Sequence, residues 1–169
     1  TGTCTIVDDD GLPALSIGNI AVTEGNAGTT NAVFTVTLNK PATSTVTVQL
    51  DTQNGTAVAP GDYTAAVGLA LSLPPGQTAT NVIIPVNGDL EVEGSETFRA
   101  VLSAPANAEL LEGTGVCTIV NDDYPFVWTG GGGDGLASTL ANWQWNGSPA
   151  ARLPGTHDDV RLDATGSAD

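Results

Sequence analysis

Basic residues are scarce in this 169-residue sequence, which has four Lys or Arg against 19 Asp or Glu and a formal net charge of −15. Phosphate groups and anionic membrane surfaces are bound by clustered basic side chains, so both are disfavoured as partners. No apolar run approaches the roughly 20 residues that cross a bilayer, and no membrane insertion is expected. The excess of acid favours cations as ligands.

Methionine is absent, and histidine occurs once. The lack of methionine favours a chain excised or processed from a longer polypeptide. A Ser–His–Asp site that uses His157 is disfavoured, because the sequence has no Gly-x-Ser-x-Gly motif to present the serine. Glu93 and Glu96 could form a hydrolase pair, but few aromatic residues are available to line a sugar cleft. The sequence therefore predicts no enzyme.

A repeat divides the chain. Residues 1–10 recur as residues 114–123, and eight of the ten aligned positions are identical. We therefore expect 1–10 to be the final strand of a preceding module and 11–123 to be a complete copy. The strand at 1–10 has no module of its own, so it could pair with a neighbouring copy by strand addition and build a filament. Excision from a longer chain is the favoured alternative.

Residues 11–123 follow a period of two, which is typical of half-buried strands. Predicted strands cover 15–17, 33–38, 45–50, 69–73, 80–86, 97–102 and 116–120, with a short one near Tyr63. This density predicts an all-β fold, an antiparallel immunoglobulin-like β-sandwich of about seven strands. Cys117 alternates with Ile119 and should be a core residue. A disulfide with Cys4 is not expected, because the two occupy equivalent sites of successive modules.

Residues 124–169 differ in composition from the preceding segment, because they contain all three tryptophans and a four-glycine run. We expect this segment to begin a further module or to be a linker. Its Trp128-Thr-Gly-Gly start and Asn142-Trp143 pair resemble, weakly, the opening of repeats in secreted β-helical and autotransporter-like proteins.

Acidic residues concentrate in particular connections. If successive strands alternate in direction, the connections holding Glu24, Asn54, residues 89–96 and residues 121–123 all lie at one pole of the sandwich. Convergent carboxylates repel one another unless a cation compensates them. Calcium accepts six to eight oxygen ligands and needs neither His nor Cys, so it is the predicted ion. A solvated acidic rim is the alternative.

Four ordered motifs resemble the Calx-β domain, a module of sodium/calcium exchangers and bacterial surface proteins. They are Ala21-Val-Thr-Glu-Gly25, residues 54–57 followed by 61–63, residues 89–98 and Thr118-Ile-Val-Asn-Asp-Asp123. The resemblance implies calcium ligands at Glu24, Asn54, Asp89, Glu91 (through its carbonyl), Glu93, Glu96, Asn121, Asp122 and Asp123. Exchanger domains have acids where this chain has Asn54, Gly88 and Asn121, so fewer ions or weaker binding are expected.

Together these features predict a calcium-binding, noncatalytic module of a large extracellular bacterial protein, with an adhesive, stalk or filament role. Its expected partners are neighbouring modules and a cell-surface or glycan ligand. The alternatives are a calcium-sensing domain of a membrane transporter and an accessory domain of a secreted enzyme.

Overall fold

A computed structural model describes residues 3–4, 11–133, 135–146, 148–156 and 158–162. Nine strands form a sandwich of two sheets. They are β1 (Ala14–Ile17), β2 (Ile20–Thr23), β3 (Gly28–Leu38), β4 (Val46–Asn54), β5 (Leu69–Leu73), β6 (Ala79–Gly88), β7 (Glu96–Ala106), β8 (Glu109–Glu112) and β9 (Thr114–Val120). One sheet has the order β6-β3-β1-β8 and the other β2-β9-β7-β4-β5. The predicted fold class is confirmed.

Alternation along the strands builds the core. In β3, for example, Phe34 and Val36 are fully buried, while Thr35 between them is exposed. The Phe98 ring packs edge-on against Phe34, with centroids 6.0 Å apart, and stacks on Tyr63 at 4.1 Å. Aromatic rings are the largest groups in this interior, so they contribute much of its apolar burial.

Two strands were not predicted, β2 and β8. β2 follows β1 in the same direction but lies in the other sheet, with residues 18–19 between them. β8 likewise precedes β9 in the same direction, and the chain changes sheet at Gly113. The pairs β1–β8 and β2–β9 are parallel, and the other strand pairs of the sandwich are antiparallel, as the sequence predicted. All four β8 side chains are exposed, so that strand shows no alternation. The short strand expected near Tyr63 is a single bridge to Val86.

Cys117 is fully buried, as predicted, and burial raises the pKa of its thiol to about 11. Cys4 is exposed, and neither cysteine is in a disulfide. Apart from residues 3–4, the predicted strand at 1–10 lies outside the described residues, as does His157.

The segment after Asp123 forms a second, small sheet with the order β12-β11-β10-β13. Its strands are β10 (Phe126–Trp128), β11 (Trp143–Trp145), β12 (Ser148–Pro149) and β13 (Val160–Leu162). Phe126, Trp143 and Ala150 are buried together, and Trp128 packs against them. We call the described part of this segment the tail. Within the described residues, no helix is long and apolar enough to cross a membrane.

Buried Asn142 organises the glycine run of the tail. Its side-chain oxygen accepts a hydrogen bond from the Gly132 N–H at 2.6 Å, and its amide donates to the Leu136 carbonyl at 3.0 Å. A Cβ at position 132 would lie 2.7 Å from that side-chain oxygen, so the loop requires glycine there. The glycine run is therefore an ordered turn over its described residues, and not only a linker.

Candidate metal centre

Parallel pairing of β2 and β9 brings two chain exits to the same place. Thr23 and Val120 are register partners at the ends of these strands, and the Glu24 N–H donates to the Val120 carbonyl at 3.3 Å. Glu24 leaves β2 where residues 121–123 leave β9. Since β1 and β2 share one direction, as do β8 and β9, the two sheet changes preserve the alternation that predicted this pole.

Three carboxylates converge there. One oxygen from each of Glu24, Asp122 and Asp123 lies within 4.8 Å of the others. Glu24 is 6% exposed and Asp123 3% exposed, while Asp122 is partly buried. Carboxylates are rarely this buried unless a cation or hydrogen bonds compensate them. We call these three residues the carboxylate cluster.

Hydrogen bonds satisfy only part of the carboxylate cluster. The Gly25 N–H donates to Asp122 Oδ1 at 3.0 Å, and the Asn26 amide donates to Asp123 Oδ1. The other oxygen of Asp123, Oδ2, is buried and has no hydrogen-bond partner among the described residues. A buried acceptor without a donor is costly, and a bound cation would satisfy it. The donor set, composed of oxygen atoms, fits a hard ion such as calcium.

Burial and mutual repulsion raise the pKa values of Glu24 and Asp123. Burial, followed by the nearby charges of Asp89 and Asp123, raises the pKa of Glu24 to about 7. Burial also raises the pKa of Asp123, although the hydrogen bond from Asn26 partly opposes this. Without a cation, the ionised carboxylates are therefore strained electrostatically.

Close backbone approach fixes the loop that carries Asp89. A Cβ at Gly88 would lie 2.0 Å from the Gly25 carbonyl oxygen, which is shorter than any real contact. Glycine at this position allows the loop after β6 to pass directly against the loop after β2. The missing acid at position 88, noted as a departure from exchanger-type domains, thus has a steric reason in this chain.

The two predicted asparagines have internal partners. Asn54 Oδ1 accepts from the Tyr63 hydroxyl at 2.7 Å and from the Ala59 N–H at 3.1 Å. Asn121 bonds Asp123 in both directions, donating to its carbonyl at 2.9 Å and accepting from its N–H at 3.3 Å. In the structure both amides shape loops at the pole, and their role as ligands stays a prediction.

The remaining predicted ligands lie at the same pole, beyond the carboxylate cluster. Asp89 and Glu93 contribute to the raised pKa of Glu24. Asp89 Oδ1 accepts from the Glu91 N–H at 2.8 Å. For Glu96, burial first and then Asp62, through both charge and a hydrogen bond, raises the pKa.

Sequence reasoning missed two residues of this pole, Asp62 and Asn26. Asp62 sat inside the Gly61-Asp62-Tyr63 motif, where its carboxylate accepts from the Val58 N–H at 2.6 Å and faces Glu96. Asn26 sits two positions after Glu24, in a loop whose bend could not be read from the sequence. Its pairing with Asp123 spans 97 positions.

The model of the Calx-beta domain family matches residues 8–123. No curated protein sequence matches the chain.

Among solved structures, the apo-form Calx CBD1 domain is similar, with a TM-score of 0.60 and 26% identity over 67% of this chain and 100% of that one. The calcium binding domain CBD12 of CALX1.1 is similar at a TM-score of 0.58 and 26% identity, over 68% of this chain and 48% of that one. The Calx CBD2 domain shares the fold, with a TM-score of 0.56 and 14% identity over 64% of this chain and 86% of that one.

Proposed function

Since the chain belongs to the Calx-beta domain family over residues 8–123, we propose that it is a calcium-binding, noncatalytic module whose ion braces the joint to the next unit. CBD12 of CALX1.1, a solved structure similar to this chain, is a calcium binding domain, and this chain has a carboxylate cluster that can hold such an ion. Binding, and not a reaction, is the activity that the site supports.

The observation that carries the proposal is the unpartnered, buried Oδ2 of Asp123 within the carboxylate cluster. Glu24, Asp122 and Asp123 would hold the ion. Among the neighbouring charges, that of Asp89 raises the pKa of Glu24 most. Calcium would supply positive charge to carboxylates that otherwise repel one another. With three close carboxylates and neutral amides nearby, weaker binding than in an acid-rich site is expected, in the range of extracellular calcium modules.

The cluster lies next to the joint with the tail. Asp123 is separated from β10 by Tyr124 and Pro125 alone, and proline restricts φ there. The Trp145 indole N–H donates to the Tyr124 carbonyl at 2.9 Å, so the connecting backbone is also tied to the tail. An ion at Asp123 would therefore restrict the direction in which the following unit leaves the sandwich.

Thermal unfolding of the full chain in calcium against a chelator tests the proposal. Calcium at 10 mM, which is ten- to a hundredfold over a Kd of about 0.1–1 mM, should stabilise the protein by about 1.4–2.7 kcal/mol, or roughly 3–11 °C in Tm. The Glu24→Gln and Asp123→Asn variants should lose the shift. Glu109→Gln, an exposed acid outside the acidic pole, is the matched control and should keep it. An unchanged Tm at millimolar calcium, or a full shift in both cluster variants, would refute the proposal.

For the cellular setting, we propose a large extracellular bacterial protein in which successive modules form an adhesive stalk or filament. The repeat of residues 114–123 at 1–10 supports a tandem array, and the second sheet directly after Asp123 supports a multidomain chain. Strand addition by residues 1–10 remains part of this proposal. Removing 1–10 should abolish any high-mass assemblies on sizing if that strand links copies.

A calcium-sensing domain of a membrane transporter is the second candidate, favoured by the 26% identity to Calx CBD1. The two candidates differ in the parent gene product. Membrane-spanning segments on either side of this chain would favour the transporter, whereas further modules without them would favour the surface protein.

A further inference from the structure

A groove lies between the acidic pole and the tail. Its volume is about 550 Å³, within the roughly 300–1,000 Å³ typical of small-ligand pockets, which often form at domain boundaries. The lining residues are Asn26, Leu90, Phe126, Trp145, Ala151 and Arg152. We call this cavity the junction groove.

Aromatic rings form one wall of the junction groove. Phe126 and Trp145 are register partners on β10 and β11, and their rings stack with centroids 6.4 Å apart and 22° between planes. Trp145 is 37% exposed, and its N–H is already bonded to the Tyr124 carbonyl. Trp145 therefore offers a fixed ring face, and not a free donor, to a ligand.

Arg152, the positively charged residue that lines the groove, is already paired with an acid. Arg152 makes a bidentate ion pair with Asp158, with N–O distances of 2.5 and 2.8 Å. The guanidinium carbon of Arg152 lies 4.8 Å from the Phe126 ring centroid. Its charge is neutralised locally and it occupies the cation position over Phe126. The groove consequently favours neither an anion, which would need a free cation, nor a ligand cation at Phe126.

Hydrogen-bond acceptors lie in an adjoining cavity of about 610 Å³ that shares Asn26 and Leu90 with the junction groove. Asp89, Glu91 and Asp159 line it. Carboxylates accept hydrogen bonds from hydroxyl groups and repel negative charge. An apolar ring face beside a row of acceptors matches a ligand with a flat C–H surface and a rim of hydroxyls.

We propose that the junction groove and the adjoining cavity bind a neutral carbohydrate chain, with one sugar ring lying on Trp145 and hydroxyls of a neighbouring sugar directed to Asp89 and Glu91. Sugar rings have C–H faces that pack on aromatic rings, and they carry no charge for the carboxylates to repel. This binding site goes beyond the calcium site because its ring wall belongs to the tail. The two sites meet at Asn26, which bonds the carboxylate cluster, and at Asp89 and Glu91, which are also predicted calcium ligands.

The test is titration of the full chain in calcium at 0.15 M salt, followed by tryptophan fluorescence and calorimetry. The neutral probes are hexasaccharides of β-1,4-glucose, β-1,4-N-acetylglucosamine, α-1,4-glucose and β-1,4-mannose. The charged probes are a hyaluronan hexasaccharide and hexalysine. We expect saturable binding of at least one neutral probe and no saturable binding of hyaluronan.

Two variants remove opposite walls of the groove. Trp145→Ala should weaken binding of the neutral probe by about tenfold or more. Leu90→Ala should also weaken binding of the neutral probe. Because this variant changes only the sandwich side of the groove, the loss does not depend on folding of the tail. Leu140→Ala is the control, because Leu140 is a tail residue with 39% exposure that does not line the groove.

Several outcomes would overturn the inference. They are no binding of any neutral probe at millimolar concentration, or binding that survives in both groove variants. Saturable binding of hexalysine alone, lost at high salt, would assign the acidic surface to a cationic peptide instead. Calcium stabilisation without sugar binding would overturn the sugar site and leave the calcium proposal intact, so the two fail independently.

Discussion

The ion-free protein should lose stability as pH rises, opposite to the behaviour of most paired carboxylates. Burial and neighbouring acids raise the pKa of Glu24 from 4.5 to about 7 in the folded state. Between these two values the folded protein keeps a proton that the unfolded chain has released, so raising the pH favours unfolding. The stability of the chelated protein should fall from about pH 4.5 to 7 and level off above 7.

The size of this effect follows from the shift. A difference of this size corresponds to at most about 3 kcal/mol for Glu24, since each pKa unit is worth about 1.4 kcal/mol. In a chain of this length that is roughly 6–12 °C in Tm between pH 5 and pH 8. The raised pKa values of Glu93, Glu96 and Asp123 act in the same direction.

Calcium should cancel the trend. A bound cation keeps the carboxylates ionised in the folded state, so the calcium-induced gain in Tm should be larger at pH 8 than at pH 5, where protons compete with the ion. Thermal melts at pH 5, 6, 7 and 8 in chelator and in calcium measure both slopes.

Glu24→Gln separates this site from the general repulsion of an acidic protein. The variant should be more stable than the parent at pH 8 in chelator and should lose most of the slope, whereas Glu109→Gln should retain it. A chelated parent that is equally stable at pH 5 and pH 8 would refute the reasoning, as would a Glu24→Gln variant with an undiminished slope.

Three further outcomes follow from the structure. Gly88→Ala, whose new Cβ would meet the Gly25 carbonyl, should lower Tm by several degrees and weaken calcium binding, whereas Gly94→Ala, with nothing within 4 Å, should change neither by a measurable amount. Alkylation of the native protein should modify Cys4 and spare Cys117 until denaturant is added, and rapid labelling of both would contradict the buried thiol. Limited proteolysis near residues 124–125 should slow in calcium, and equal rates with chelator would show that the ion leaves the joint unchanged.

Alternation made the sandwich predictable because its central strands have one buried and one exposed face. Seven of the nine sandwich strands were predicted within a few residues of their bounds. The short edge strands β2 and β8 were missed because neither has a fully buried residue. In the tail, strands of two or three residues are too short to show a period, and the parallel pairing of β10 with β13 is long-range.

Strand direction also predicted the acidic pole, since it fixes only which end a connection occupies. It does not fix distances between side chains there. Glu24 and Asp123 converge because β2 and β9 are adjacent, whereas Asn54 leaves β4 next to β7 and bonds Tyr63. The nine predicted ligands therefore share a pole, but choosing among them requires loop conformations that depend on contacts such as Asn26 with Asp123. The ligand set itself stays a prediction.

Charge links the carboxylate cluster to the tail. Asp158, a tail residue, is among the charges that raise the pKa of Asp123, although most of its hydrogen-bonding capacity is taken by Arg152 and the Gly155 N–H. Without an ion, packing of the tail on the acidic pole brings like charges together at a cost. With an ion, the same packing places carboxylates around positive charge, and the sign of the interaction reverses. Calcium binding and tail docking are thus expected to support one another, and by linkage each should strengthen the other by the same factor.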